Sequence, residues 1–230
     1  MDAGVPIPGC TVVPIVASGA PGNTGSGNSA LCQVANLGVG SHTFTAIYSG
    51  DPENPSAPSC HVVHFVDSPG SATAVEYYHD VFDDYFVTIF PDEVAALDNG
   101  YLRGWRRTGM TFRVHPLDQM AGSSSVCRFF SGQSFAPKSS HFLTPVAAEC
   151  AIVQQNPGWL YEGTAFGLDL PSPDGNCNPS QAPLYRIYND GQGAAPSHRY
   201  LTDLGVRDSM IFNDGWIPEG FGAGVIGCVQ

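Results

Sequence analysis

Asp84, His141 and His198 follow one another at intervals of 57 residues, and each opens a short aromatic run. The runs read Asp84-Tyr85-Phe86-Val87-Thr88, His141-Phe142-Leu143-Thr144 and His198-Arg199-Tyr200-Leu201. If two imidazoles and a carboxylate converge, they form a ligand set for a divalent metal or an acid–base group that works near neutral pH. A histidine at the head of a strand also serves simply to bond a neighbouring turn. Charged residues recur in the same way. Arg128 and Arg186 occupy equivalent opening strands, where the first copy has Glu76. Glu162 and Glu219 each follow a tryptophan by three residues, where the first copy has Thr108. Opposite charges at fixed positions predict a repeated ion pair, and exposed carboxylates would accept hydrogen bonds from sugar hydroxyls. Tyr188 joins this binding set. A glycosidase would need Glu162 and Glu219 facing one bond at about 5–9 Å.

These residues belong to a repeat. The tryptophans stand in Gly104-Trp105-Arg-Arg-Thr-Gly109, Gly158-Trp159-Leu-Tyr-Glu-Gly163 and Gly215-Trp216-Ile-Pro-Glu-Gly220, spaced by 54 and 57 residues. A period of this length marks stacked or closed supersecondary units. Each copy opens on an aromatic or β-branched run (Val75–Tyr78, Cys127–Phe130, Tyr185–Tyr188), which reads as a strand. The Asp/His run is a second strand. A helix follows, from Pro91 to Leu97 with Gly100 as its stop, from Val146 to Gln155, and from Leu204 to Phe212. Gly-Trp starts a third strand, and a fourth is expected at Thr111–Val114, Ala165–Leu168 and Ala223–Ile226. One such unit cannot bury its own apolar face, whereas three can share a core. The expectation is a mainly β (α+β) domain over 74–230, with copies at about 74–116, 124–171 and 182–230. A pseudo-threefold, propeller-like closure is the first choice and a trefoil-like barrel the second. The tryptophans read first as a core layer and second as stacking surfaces for sugar rings.

The phrases SHFLTPVAAEC, NPGWLYEGTAF, PLYRIYNDGQGAAPSHRYLTD and GWIPEGFGAGVIGC resemble the DUF5648 repeat family, whose function is unknown. The resemblance covers about 155 residues. It implies an extracellular module on secreted, multidomain proteins, and it implies no reaction. The family pattern has histidine in the first copy where this chain has Asp84.

Residues 1–67 differ in kind, with no lysine or arginine and many Gly, Pro, Ser, Thr and Val residues. The run from Leu37 to Asp51 resembles bacterial immunoglobulin-like repeats, which implies a spacer or adhesion sandwich. Phe44, Ala46 and Tyr48 alternate onto one face. A complete sandwich needs about 80–100 residues, so the opening strands are expected to be missing by truncation or supplied by another chain. Residues 68–73 read as the linker.

The net charge is −12 and Lys138 is the single lysine. Such a surface argues against nucleic-acid binding, which needs clustered basic residues. No apolar run approaches the ~18–20 residues that span a bilayer. The first residues lack the features of a signal peptide, so export would rely on a signal removed or lying upstream. Seven cysteines suggest an oxidising compartment, with pairs Cys10–Cys32, Cys127–Cys150 and Cys177–Cys228 and with Cys60 unpaired. There is no G-x-S-x-G, H-E-x-x-H, P-loop or C-x-x-C motif. The sequence therefore points to an extracellular, non-catalytic binding or adhesion module, with carbohydrate as the foremost ligand and no cofactor or bound metal. The alternatives are an assembly subunit, completed by strand donation or linked through Cys60, and a hydrolase built on the Asp/His positions.

Overall fold

The computed structural model describes residues 5–8, 10–16, 30–34, 37, 40–66 and 70–230, apart from the side chains of 40, 41 and 58–65. The chain divides into two compact units, Met1–Ser68 and Pro69–Gln230.

In the first unit β1 (Gly40–Tyr48) pairs antiparallel with β2 (Ala57–Val66). These are its strands among the described residues, and they form a two-stranded antiparallel sheet. Phe44 and Tyr48 are half-buried, but Ala46 between them is exposed. The Cys10–Cys32 disulfide is formed. The side chain of Cys60 lies outside the described residues.

The second unit contains the three copies. The first runs β3 (Ala72–His79), β4 (Asp84–Thr88), α1 (Pro91–Asp98) and β5 (Trp105–Val114). The second runs β6 (Ser124–Phe130), β7 (His141–Thr144), α2 (Ala147–Val153) and β8 (Leu160–Leu168). The third runs β9 (Ala182–Tyr188), β10 (His198–Leu201), α3 (Leu204–Asp214), β11 (Ile217–Glu219) and β12 (Val225–Val229). In each copy the opening strand is central and antiparallel to its neighbours, in the orders β4-β3-β5, β7-β6-β8 and β10-β9-β11 with β12 also on β9. The architecture is mainly β, and none of these sheets is closed.

Two sequence expectations need correction. The third and fourth strands are one continuous strand in the first two copies, because β5 takes up Gly109 in a register shift and β8 keeps Gly163 in the ladder opposite Arg128. Only in the third copy does a glycine-rich loop separate β11 from β12, both still paired with β9. The linker is also shorter than expected. Ala72 and Thr73 already pair with Val114 and Arg113 on β5, and Ser71 is buried against the Arg113 guanidinium.

The helix boundaries have local causes. Pro91 occupies the first turn of α1, where its missing N–H is not needed. Asp203 caps α3 by accepting from the Val206 N–H at 2.9 Å. Gly215 ends α3 in the left-handed region at φ 73°.

No copy has a complete core of its own. One cluster joins Ala74, Val87 and Phe112 of the first copy, Val126, Leu143 and Phe166 of the second, and Leu184, Tyr200 and Ile226 of the third. The buried Tyr200 hydroxyl accepts from the Leu143 N–H at 2.8 Å and donates to the Leu143 carbonyl at 2.7 Å, tying β10 to β7. Cys127–Cys150 closes the second copy, and Cys177–Cys228 anchors the last strand. Three disulfides fit an oxidising compartment. Among the described residues no helix is long and apolar enough to cross a membrane.

Candidate functional site

The ladder registers show which positions are equivalent. Opposite Tyr78, Phe130 and Tyr188 stand Tyr85, His141 and His198. Tyr85, not Asp84, is therefore the counterpart of the two histidines. Asp84 lies one residue earlier, and the corresponding residues are Ser140 and Ser197. The equal spacing in sequence hid a one-residue offset, and in a strand one residue turns a side chain to the opposite face.

Each copy meets the next through a junction made from the same positions. At the first junction Arg128 on β6 reaches back to α1, donating from Nη1 and Nη2 to the two carboxylate oxygens of Glu93 at 2.9 and 2.8 Å. Its Nε lies 2.9 Å from Glu162 on β8. The guanidinium sits 5.5 Å from the Phe86 ring centre. The His141 ring lies 4.5 Å from Phe86 on one side and stacks at 4.9 Å on Phe130 on the other. Trp105 meets Phe86 edge-on at 5.9 Å. Between these groups is a hollow of about 170 Å³, whose walls include Phe86, Glu93, Trp105, Arg128, His141 and Glu162.

Local chemistry places each group. Thr88 ends β4 and donates its hydroxyl to Glu93, while its Oγ1 accepts from the Phe90 N–H. Thr144 holds Glu149 in the same way in the second copy. Trp105 is set by Gly104, whose φ is 89° and where a Cβ would come within 2.2 Å of His79 Nε2. Trp105 is half-buried, so it is not the plain core residue expected first from sequence.

Burial tends to raise the Glu93 carboxyl, but the bonds from Arg128 and Thr88 outweigh it and the net shift is downward. The guanidinium is pushed up by its two carboxylates despite its burial. Glu93 and Arg128 therefore stay ionised near neutrality, and by formal charge the cluster sets two carboxylates against one guanidinium.

Asp84 lies inside the fold, fully buried, with His141 Nδ1 3.5 Å from its Oδ2 and not aligned for a hydrogen bond. Both Asp84 oxygens are without hydrogen-bond partners, as are the Ser140 and Ser197 hydroxyls. Burial pushes the Asp84 carboxyl up, against the opposing pull of His141 and His198. Among the described residues no three His, Cys, Asp or Glu side chains are grouped to hold a metal. Asp84→Asn is expected to stabilise the fold at pH 8 by about 1–2 kcal/mol, since it removes an unpaired buried charge. Because the folded carboxyl titrates above its ordinary 3.8, the folded state binds its proton more tightly than the unfolded state. Wild-type stability then falls as pH rises through that interval, and the advantage of the variant should vanish at acid pH. Urea unfolding across pH measures this, and a gain independent of pH would rule out the charge explanation.

The second junction repeats the first. Arg186 donates to Glu149 on α2 at 2.8 and 2.9 Å. Its Nε lies 3.2 Å from Glu219, paired in charge though poorly aligned for a hydrogen bond. The guanidinium sits 5.1 Å from the Phe142 ring centre. His198 meets Phe142 at 4.8 Å and stacks at 4.8 Å on Tyr188. Its Nε2 lies 3.3 Å from Glu219. Burial holds this imidazole below its ordinary range, against the raising influence of Glu219.

The third junction is inverted. Glu76 replaces the arginine, and Arg199 replaces the phenylalanine. They form a two-pronged pair at 3.0 Å with Glu76 fully buried. Arg199 lies 4.4 Å from the Tyr85 ring centre. Trp216 is buried, with Tyr85 edge-on to it at 6.0 Å.

The structure thus brings Arg128, His141 and Glu162 to one junction and Arg186, His198, Glu219 and Tyr188 to another. Asp84 lies beneath the first, out of the hollow. Glu93 and Glu149 were missed in the sequence, although each follows a threonine by five residues, in Thr88-x-x-x-x-Glu93 and Thr144-x-x-x-x-Glu149. A larger hollow of about 390 Å³ lies beside Cys177 and is lined by residues such as Asp174, Asn178 and Tyr185. None of the repeated charged residues lines it, so the first junction is the better candidate.

Neither the curated proteins nor the solved structures contain a match to this chain. Residues 60–168, which include the whole of the first two copies, match the model of a family described as a domain of unknown function, DUF5648.

Proposed function

We propose that this chain is an extracellular, non-catalytic binding module whose ligand is carbohydrate. The observation that supports this is the hollow at the first junction, where the half-buried Trp105 ring shares its walls with Glu93, Arg128 and Glu162. An aromatic face stacks on the apolar face of a sugar ring, and fixed carboxylates accept from its hydroxyls. The cluster carries one net negative charge within a chain of net charge −12. Neutral or amino sugars suit it, and uronates do not. The three copies are read as closing propeller-like around a pseudo-threefold axis, in keeping with their cyclic junctions. The two strands of the first unit are read as part of an immunoglobulin-like spacer.

A hydrolase is the weaker reading. A glycosidase needs one carboxylic acid that keeps its proton, whereas Arg128 draws Glu93 downward. Assembly by strand donation would rest on residues 1–67, where the described part is one two-stranded sheet.

A glycan array followed by titration calorimetry tests the proposal with cellotriose, maltotriose, mannotriose, chitotriose and trigalacturonate. Binding of at least one neutral trisaccharide is expected, with none for trigalacturonate. Trp105→Ala should weaken the first-junction affinity about thirtyfold, near 2 kcal/mol. Unchanged affinity at that site would remove the hollow from the proposal.

A further inference from the structure

We infer that the second unit carries two sugar sites, one at each of its first two junctions, and that the third junction is closed. This rests on the carbohydrate reading above and deepens it by fixing number and place.

The second site would consist of Phe142, Glu149, Trp159, Arg186, His198 and Glu219. They occupy the strand and helix positions of Phe86, Glu93, Trp105, Arg128, His141 and Glu162. The arginine has the same three-way attachment in both, with two bonds to the helix glutamate and Nε toward the strand glutamate. Water reaches the carboxylates to nearly the same degree. Side-chain exposure is 29% for Glu93 and 33% for Glu149, and 30% for Glu162 and 31% for Glu219. Trp159, like Trp105, is half-buried and packs on the junction phenylalanine, 6.1 Å from Phe142. An exposed pair of carboxylates beside a half-exposed indole is what a sugar ring contacts, so both junctions offer the same chemistry.

The third junction keeps its tryptophan but has lost the arginine, both carboxylates and the histidine. The helix glutamate is replaced by Val206, which packs on the apolar cluster that holds Trp216. The strand glutamate is replaced by Thr108, and the histidine by Tyr85. Tyr85 meets Trp216 edge-on at 6.0 Å, and Trp216 is left 8% exposed. The Glu76–Arg199 pair fastens the first copy to the third without leaving a carboxylate facing solvent.

Fluorine NMR of the full chain labelled with 5-fluorotryptophan reads each junction separately, because each holds one tryptophan. Trp105→Phe and Trp159→Phe assign two resonances and leave the third to Trp216. The probe is the tightest-binding of the four neutral trisaccharides. The Trp105 and Trp159 resonances should shift and saturate at two sugars per chain, with Trp216 unmoved. Trp105→Ala should leave the Trp159 response in place and lower the saturating stoichiometry to one sugar per chain. A shift of Trp105 alone, or of all three, would overturn the two-site inference while leaving the carbohydrate reading intact. No shift and no calorimetric heat with any of the sugars would overturn both.

Discussion

Replacing Arg199 with methionine is expected to be the most damaging single charge deletion in this protein, costing about 3–5 kcal/mol. Its partner Glu76 has no exposed surface and takes both ends of the guanidinium at 3.0 Å. Removing the cation leaves a carboxylate that water cannot reach. The companion double variant, Arg199→Met with Glu76→Met, should recover most of the loss or exceed wild type, because two apolar side chains of similar length need no compensation. Arg128→Met should cost less than Arg199→Met, since Glu93 and Glu162 keep 29% and 30% of their side chains in water. Urea denaturation of the four proteins decides the matter. Equal losses for Arg199→Met and Arg128→Met would show that burial of the orphaned carboxylate is not what sets the cost.

The second large effect concerns the Cys177–Cys228 disulfide. It closes a span of 51 residues, against 23 for Cys127–Cys150. On the chain-entropy account the longer loop stabilises by about 4 kcal/mol and the shorter by about 3 kcal/mol. Cys228 also sits on the last strand, where its N–H donates to the Asp169 carbonyl of the second copy at 2.8 Å. Loss of the bridge frees a strand that holds two copies together. Alanine replacement of Cys177 and Cys228 together should therefore lower stability more than replacement of Cys127 and Cys150. A reversed order would mean that local packing around Cys127 and Cys150, both buried, outweighs loop length.

Much of this could be read from the chain. The strands announced themselves by aromatic and β-branched runs, and the first helix by Pro91 at its start and Gly100 beyond its end, because these signals act within a few residues. Two of the disulfide pairs followed from which cysteines flanked the same copy, and Cys10–Cys32 from the short strands that those two flank. Arg128 with Glu162 and Arg186 with Glu219 were visible as recurring charges, since each pair lies within one copy. Asp84 was misplaced because the copies differ in length, so that the equivalent residues Tyr85, His141 and His198 are spaced by 56 and 57 residues rather than by 57 twice. Only hydrogen-bond register reveals that Tyr85 faces Tyr78 as His141 faces Phe130.

By itself the sequence determined the repeat, its local elements and the partners within each copy, because periodicity and short-range spacing decide those. The tertiary structure decided what lies between copies. Glu93 meets Arg128 across 35 residues, Glu149 meets Arg186 across 37, and Glu76 meets Arg199 across 123. No local rule predicts such pairs. They exist because one unit cannot bury its apolar face alone, and packing three together brings a helix of one against the opening strand of the next.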